Sequence, residues 1–199
     1  WGVFGNYNVS KTSLESCDIN RFDIHCYGKD VFCYNSVFRN LYNQFASFYG
    51  ELYFEKCSFI SFVPVLLEDS FGAYTPFKVV FKDCEITVDE QRPFLISTGD
   101  LSSNAFASRV ELKDVHFPSV TFSNVHLILP ENLSKYYIYS VIDQNSPSII
   151  GDNAININGM VINNNRNDVS IEYSSNKLMH DNYPSIIIKK SSINDINFY

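Results

Sequence analysis

The segment Leu52-Tyr53-Phe54-Glu55-Lys56-Cys57-Ser58-Phe59 carries apolar residues at its first, third, sixth and eighth positions. The first and third positions obey a period of two, as do the sixth and eighth, and this is the alternation of a β-strand with one buried face. Between the two pairs the phase slips by one residue, where the side chains are polar. The segment therefore predicts a strand, a sharp bend and a second strand, with all four apolar side chains pointing at the same interior.

The same pattern recurs along the chain. Four further segments align with the first without gaps: Thr12 to Ile19, Val31 to Phe38, Val79 to Ile86 and Val110 to Phe117. In chain order the five copies are 19, 21, 27 and 31 residues apart, and a solenoid repeat takes on the order of 20 residues or more. Parallel strands stacked at this period place like residue on like, whereas an antiparallel sandwich gives no reason for such columns. The sequence therefore predicts an all-β fold, a single-stranded parallel β-helix (solenoid).

The growing spacing and a change of pattern divide the predicted solenoid. We expect one connection of the coil to swell into a loop, first around residues 62–76 and then around residues 89–108. Beyond Val120 the pattern weakens, and strand-like stretches alternate with Asn-rich turns. We place a boundary near Pro130, with parallel β-helix coils in residues 1–129. Residues 130–199 form either less regular continuing coils or a C-terminal capping β-module, since an uncapped solenoid exposes a strand edge.

Composition limits the classes of partner. The net charge is −7, and Lys189-Lys190 is the only run of positive charge, which argues against nucleic acid because phosphate neutralisation needs clustered cations. No apolar stretch reaches the ~20 residues that span a bilayer, so we expect no membrane insertion. The chain begins at Trp1 and reads as a fragment or a processed product. Its five cysteines form no CxxC pair, and we expect buried free thiols, as in a protein that folds in a reducing cytosol.

Two stretches, Trp1 to Val9 (Trp-Gly-Val-Phe-Gly-Asn-Tyr-Asn-Val) and Cys17 to His25, resemble segments of pectate-lyase-like right-handed β-helix proteins. Phage tailspike and tail-fibre proteins and bacterial polysaccharide-processing proteins carry such segments, and the resemblance covers residues 1–117. It implies a right-handed coil and a location on the virion surface (a phage tail), outside the cell or on the bacterial cell surface. It also implies a bacterial polysaccharide as partner, and a homotrimer. No catalytic motif of that family is found here, so the resemblance assigns no catalytic residue.

The densest polar cluster lies between the first two copies of the repeat, from Arg21 to Asp30. If the segment is extended, Arg21, Asp23 and His25 share one face, so Asp23 and His25 are candidate catalytic groups for acid–base work on a sugar. Arg21, Tyr27 and Lys29 are candidate substrate-binding residues. The alternative is a structural ion pair and a hydrogen-bonded histidine that hold the corner of the coil.

Two acidic pairs stand at the enlarged connections. Glu68-Asp69 and Asp89-Glu90 are candidate catalytic carboxylates, because glycosidases use two acids across the scissile bond and loops on neighbouring coils could bring the pairs together. Acidic pairs at loop starts are also commonly just solvated. Tyr34, at an outward position, and Tyr74, in the first large connection, are candidate sugar-stacking residues.

Two classes of function remain open from the sequence. The first is a polysaccharide-degrading glycosidase or lyase. The second is a non-catalytic adhesin, fibre shaft or receptor-binding module in which the same loops only hold sugar. No HExxH, Walker, GxGxxG or GxSxG motif occurs, so neither class is expected to use a metal or another cofactor.

Overall fold

We describe the protein from a computed structural model. The described residues are 10–20, 23–26, 30–39, 44–47, 50–62, 65–67, 78–98, 115–116, 119–141, 149–150, 154–163, 170–174, 185–191, 193 and 196–198. Within these ranges the chain forms strands and no helix, and every strand pair is parallel. The all-β parallel β-helix predicted from the sequence is confirmed.

Three long parallel sheets form the faces of the coil, and strands are numbered here in chain order. The first sheet has seven strands, in the order β1 (Lys11–Glu15), β4 (Asp30–Tyr34), β7 (Glu51–Glu55), β10 (Lys78–Lys82), β14 (Ser119–Ser123), β18 (Ala154–Asn158) and β21 (Ser185–Lys189). The second has six, in the order β2 (Asp18–Asn20), β5 (Val37–Arg39), β8 (Ser58–Phe62), β11 (Glu85–Val88), β15 (His126–Ile128) and β19 (Val161–Asn163). The third has five, in the order β9 (Val65–Leu67), β12 (Phe94–Thr98), β16 (Lys135–Val141), β20 (Ser170–Ser174) and β22 (Ile196–Phe198).

Two short parallel pairs complete the strands. One joins β3 (Asp23–Cys26) to β6 (Gln44–Ser47), and the other joins β13 (Val115–His116) to β17 (Ile149–Ile150). Strands β1, β2 and β3 follow one another along the chain and pair with β4, β5 and β6 in the same order. One turn of the solenoid therefore lies directly on the previous one.

The stacking register is the predicted one for the first four copies of the repeat. Thr12 pairs with Val31, Val31 with Leu52, and Leu52 with Val79. In the third column, the rings of Phe54 and Phe81 are 4.9 Å apart and nearly parallel, at 16°. Like side chains therefore lie on top of each other in neighbouring coils.

The fifth predicted copy was wrong. Strand β10 pairs with β14, which places Val79 beside Val120 and Phe81 beside Phe122. The copy that continues the columns is thus Val120 to Leu127, and not Val110 to Phe117. The reason is aromatic stacking: the Phe81 and Phe122 rings lie 5.3 Å apart at 7°, and Leu112 offers no ring for that column.

The enlarged connections are also partly regular. Residues 65–67 and 94–98 fall in the stretches predicted as loops, yet they are strands β9 and β12 of the third sheet. Residues 63–64, 68–76 and 99–108 of those stretches lie outside the described residues. All three long sheets contain strands from both sides of Pro130. The division into residues 1–129 and 130–199 stays a prediction.

The bend between the first and second sheets is a single residue in the left-handed region. It recurs in every coil, with φ of 48° to 54° at the non-glycine corners: Ser16, Asn35, Lys56, Asp83, Asn124 and Lys190. Gly159, with φ of 77°, is the corner of the coil between Asn124 and Lys190. A left-handed residue turns the chain sharply, at a cost of about 1–2 kcal/mol for a residue with a Cβ atom. The predicted phase slip is therefore a left-handed corner.

The backbone ladder continues through this corner. At one coil boundary, the N–H of Asn35 donates to the carbonyl of Glu55 at 3.0 Å, and the N–H of Ser58 donates to the carbonyl of Ser36 at 2.9 Å. The same two bonds recur at the neighbouring boundaries. Because these backbone groups remain paired, the corner turns the chain with little loss of hydrogen bonding.

The core is the space enclosed by the stacked columns. Two ladders of rings run through its second to fifth coils, one containing Phe54, Phe81 and Phe122 and the other Phe38 and Phe59. The ladders meet edge to face, as where Phe54 and Phe59 lie 5.3 Å apart at 81°. Such aromatic pairs contribute about 0.5–1.5 kcal/mol each beyond the area they bury.

Among the described residues, no helix of a length and hydropathy suited to crossing a membrane is present.

Gly159 offers a test of the corner. A Cβ atom there would lie 2.6 Å from Oδ1 of Asn124, and its φ of 77° suits glycine. We expect Gly159→Ala to lower the free energy of unfolding by about 1–2 kcal/mol, measured by urea denaturation. The exposed neighbour Asn158→Ala is the matched control. Equal stability of the Gly159→Ala variant and the parent would contradict the corner geometry.

Tyr136 offers a test of the core. The residue is fully buried, burial raises the pKa of its phenol well above the ordinary value, and its hydroxyl has no hydrogen-bond partner among the described residues. We expect Tyr136→Phe to raise the free energy of unfolding by about 1 kcal/mol, because it removes an unpaired buried polar group. Tyr137→Phe, on the half-exposed neighbour, should change little. A loss of stability in Tyr136→Phe would show that the hydroxyl has a partner.

Candidate functional site

Three aromatic rings form a cluster on the outer face of the seven-stranded sheet. In β4 and β7 the second and fourth columns are partly exposed, and they hold Phe32, Tyr34 and Tyr53. The Tyr53 ring lies 5.9 Å from the ring of Phe32 and 5.9 Å from that of Tyr34. All three residues are partly exposed. We call these three residues the aromatic patch.

A charged triad adjoins the patch. The Tyr53 hydroxyl donates a hydrogen bond to Oε2 of Glu55 at 2.9 Å, and Nζ of Lys82 donates to Oε1 at 2.8 Å. The bonds from Lys82 and Tyr53 lower the pKa of Glu55. Burial and the bond to Glu55 raise the pKa of Tyr53. Glu55 is therefore an ionised acceptor near neutral pH, unsuited to donating a proton.

Further charged side chains lie around the aromatic patch. Nζ of Lys11 lies 4.6 Å from the centre of the Phe32 ring, within cation–π range. Nζ of Lys78 lies 2.8 Å from a carboxylate oxygen of Glu51, and the backbone N–H of Glu51 donates to Asp30 at 3.0 Å. The patch is thus an apolar platform bordered by fixed charges of both signs.

A second surface feature, a groove, lies at the corner between the first two sheets. A groove of about 400 Å³ runs over three coils and is lined by Lys56, Cys57, Ser58, Asp83, Cys84, Glu85, Asn124 and His126. Its rim is held by a hydrogen bond from the Asn124 amide to Asp83 at 2.9 Å. We call it the corner groove.

The structure describes only some of the residues selected from the sequence. Tyr34 lies in the aromatic patch. Asp23 and His25 belong to β3, where their backbones pair with Gln44 and Ala46, but their side chains are outside the described part. Six candidates lie wholly outside the described residues: Arg21, Tyr27, Lys29, Glu68, Asp69 and Tyr74. Their roles stay predictions.

The second acidic pair sits at a turn before β12. Oδ1 of Asp89 accepts hydrogen bonds from the backbone N–H groups of Gln91 and Arg92, both at 2.9 Å. Glu90 is exposed. The described contacts of Asp89 are those of a turn-closing carboxylate, and its catalytic role stays a prediction.

His116 and His126 lie in different sheets. In the structure His116 pairs with Ile150 in the short sheet, whereas His126 lies between Glu85 and Val161 in the second sheet. Nδ1 of His126 is 3.6 Å from Oε2 of Glu85.

Sequence reasoning missed three residues of this face: Phe32, Glu55 and Lys82. The aligned columns carried the signal, since Glu55 and Lys82 occupy the fourth column of successive copies, and Phe32 and Tyr53 the second. In-register stacking brings each such pair together.

Comparison with known proteins gives no assignment of family or function. No family model, no curated protein and no solved structure matches the chain. Within the described part of the chain, no three His, Cys, Asp or Glu side chains form a group that could hold a metal ion.

The charged triad generates a prediction for pH dependence. The pKa of Glu55 lies below its ordinary value of 4.5 in the folded chain, so its contribution to stability is present above that value and is lost as pH falls through the folded pKa. We expect Lys82→Met to raise the Glu55 pKa, measured by NMR titration of the side-chain carboxyl carbon. Lys78→Met, which removes the partner of Glu51 instead, is the control. An unchanged Glu55 pKa in Lys82→Met would refute the pairing.

Proposed function

We propose that this chain binds a bacterial surface polysaccharide along the outer face of its seven-stranded sheet, with sugar rings resting on the aromatic patch. The observation that carries the proposal is the clustering of Phe32, Tyr34 and Tyr53 on two adjacent coils, partly exposed and beside the ionised Glu55. Aromatic faces bury the apolar faces of sugars, and carboxylates accept hydrogen bonds from sugar hydroxyls.

The geometry of the solenoid favours an extended chain ligand. Successive coils are about 4.8 Å apart, which is close to the length of one sugar unit in an extended glycan. A polysaccharide parallel to the solenoid axis would therefore place neighbouring sugars over neighbouring coils. From the patch, the fourth column continues through Glu55 to Lys82, so polar partners lie along the same line.

The resemblance to pectate-lyase-like and tailspike proteins supports the same class of ligand. The proposal then includes exposure of the chain on a virion or cell surface, where it meets capsule or O-antigen, and a homotrimer as the assembled form. Depolymerisation would require proton donors besides Glu55, and Asp23, His25, Glu68, Asp69, Asp89 and Glu90 remain the candidates.

Binding is tested with a panel of capsular and O-antigen polysaccharides by isothermal titration calorimetry. We expect Tyr34→Ala and Tyr53→Ala each to weaken binding about tenfold or more, which corresponds to ~1.4 kcal/mol. Thr121→Ala is the matched control, because Thr121 occupies the second column of the same sheet in β14, away from the patch. Binding that is unchanged in both tyrosine variants, or lost equally in Thr121→Ala, would reject this face as the site.

Cleavage is measured on the same polysaccharides by the release of reducing ends or unsaturated products. Product that disappears in Asp23→Asn, His25→Ala, Glu68→Gln or Asp89→Asn, with binding retained, identifies an enzyme. Binding without product identifies a non-catalytic shaft or receptor-binding module.

A further inference from the structure

The sixth column of the repeat follows directly after the left-handed corner and holds mostly cysteine and serine. In chain order its members are Cys17, Ser36, Cys57, Cys84, Val125, Met160 and Ser191. At the two serines the chemistry is clear. The Ser36 hydroxyl donates to the carbonyl of Tyr34 at 2.7 Å and accepts from the N–H of Cys17 at 3.1 Å. Ser191 makes the same pair of bonds, to Lys189 at 2.9 Å and from Met160 at 3.1 Å.

The two central cysteines take the place of these serines. Sγ of Cys84 lies 3.2 Å from the carbonyl oxygen of Lys82, and Sγ of Cys57 lies 3.4 Å from that of Glu55. Sγ of Cys57 also lies 3.4 Å from the carbonyl oxygen of Cys33, and Sγ of Cys84 lies 3.5 Å from that of Phe54. A serine at either position would keep the bond to the carbonyl two residues earlier, which Ser36 and Ser191 also make.

Cys57 and Cys84 occupy the same column in neighbouring coils, and this distinguishes them from the other described cysteines. They stand one residue before β8 and β11, which pair in register, and each thiol shifts the pKa of the other. In-register parallel neighbours have Cα atoms about 4.8 Å apart, which is inside the range of about 4.4–6.8 Å that a disulfide accepts. The four described cysteines, Cys17, Cys33, Cys57 and Cys84, are free thiols.

The pair borders a groove that is open to solvent. Cys57 and Cys84 are almost fully buried, yet both are among the residues that line the corner groove, whose volume is about 400 Å³. Cys33, by contrast, is fully buried in the third column.

The two thiols are unequal. The hydrogen bond from Cys84 lowers the pKa of Cys57, and that bond together with burial raises the pKa of Cys84. Cys57 is therefore the better nucleophile of the two, since the thiolate is the reactive form.

From this arrangement we propose that Cys57 and Cys84 are a dithiol modification site that reacts with hydroperoxides through the corner groove and closes to a disulfide between adjacent coils. This inference is independent of glycan binding, because the aromatic patch lies on the first sheet and the pair lies behind the corner.

The reaction balances with hydrogen peroxide as the oxidant. The Cys57 sulfur attacks one peroxide oxygen, the O–O bond breaks, and the displaced hydroxide takes the thiol proton to leave as water. The Cys84 sulfur then attacks the sulfur of the Cys57 sulfenic acid, and the S–O bond breaks. The second hydroxide leaves as water with the Cys84 proton. The pair loses two electrons and two protons, and the peroxide becomes two waters.

The test uses the full chain, reduced, freed of reductant and treated with hydrogen peroxide. Remaining thiols are alkylated in denaturant with N-ethylmaleimide and counted by intact mass, and the linked peptide is located by mass spectrometry. We expect the count of alkylated cysteines to fall from five to three, with Cys57 joined to Cys84. Five alkylated cysteines after treatment, or a link between any other two cysteines, would overturn the proposal.

Serine variants give the matched comparison. In Cys57→Ser and in Cys84→Ser, peroxide treatment should leave the number of alkylated cysteines unchanged. In Cys17→Ser, it should still lower that number by two. Serine already occupies this column at Ser36 and Ser191, and circular dichroism verifies that each variant is folded. Loss of a pair in both Cys57→Ser and Cys84→Ser would show that another pair is oxidised. The peptide map of the unsubstituted chain decides the question without any variant.

Discussion

The left-handed corner between the first and second sheets is the constraint on which the remaining structure depends. One residue with φ near 50° turns the chain, and the backbone groups on either side still bond to the neighbouring coils. Because the turn has the same length in every coil, the strands before and after it stay in register however long the other connections become. Asp83 and Asn124 are hydrogen-bonded corners although 41 residues separate them. Apart from one bulge in the second sheet, where Thr87 pairs with Ile60 and Val88 with Phe62, variation in length lies in the parts of the coil beyond that sheet.

In-register stacking also explains the composition of the core and its margins. A column that holds phenylalanine in one coil gains most from phenylalanine in the next, because neighbouring rings then stack nearly parallel, as Phe54, Phe81 and Phe122 do. Behind the corner the requirement is different. At Ser36, Cys57 and Cys84 a hydroxyl or thiol donates to the carbonyl two residues earlier, whereas Val125 and Met160 fill the same column with apolar side chains. In those three coils the column therefore bonds to the backbone as well as filling the core.

The sequence predicted the coil and the registers between its first four copies because those copies agree at four columns. It could not choose the fifth copy, since Val110 to Phe117 satisfies the same columns as Val120 to Leu127. The choice depends on ring stacking across coils, with Phe122 on Phe81, and a pattern of apolar and polar residues does not record it. Strands β9 and β12 were missed for a related reason: the third sheet follows connections of variable length and has no fixed offset from the corner. Of the site, Tyr34 was identified, whereas Phe32 and Glu55 needed the register that makes them neighbours of Tyr53.

Buried and outward-facing side chains alternate along the same strand. The residues that determine the fold are therefore different from the residues that can bind a ligand. In β7, Leu52 and Phe54 are buried, while Tyr53 and Glu55 point outward. The inward positions are fixed by the stack, so the outward positions of one coil can change without disturbing the coils on either side. They are nevertheless not independent of each other, because stacking sets Tyr53 beside Phe32 and Glu55 beside Lys82. A surface assembled in this way is an array with a repeat of one coil. A ligand that fits it best has a repeat of the same length, and this is the physical argument for an extended polysaccharide over a compact ligand.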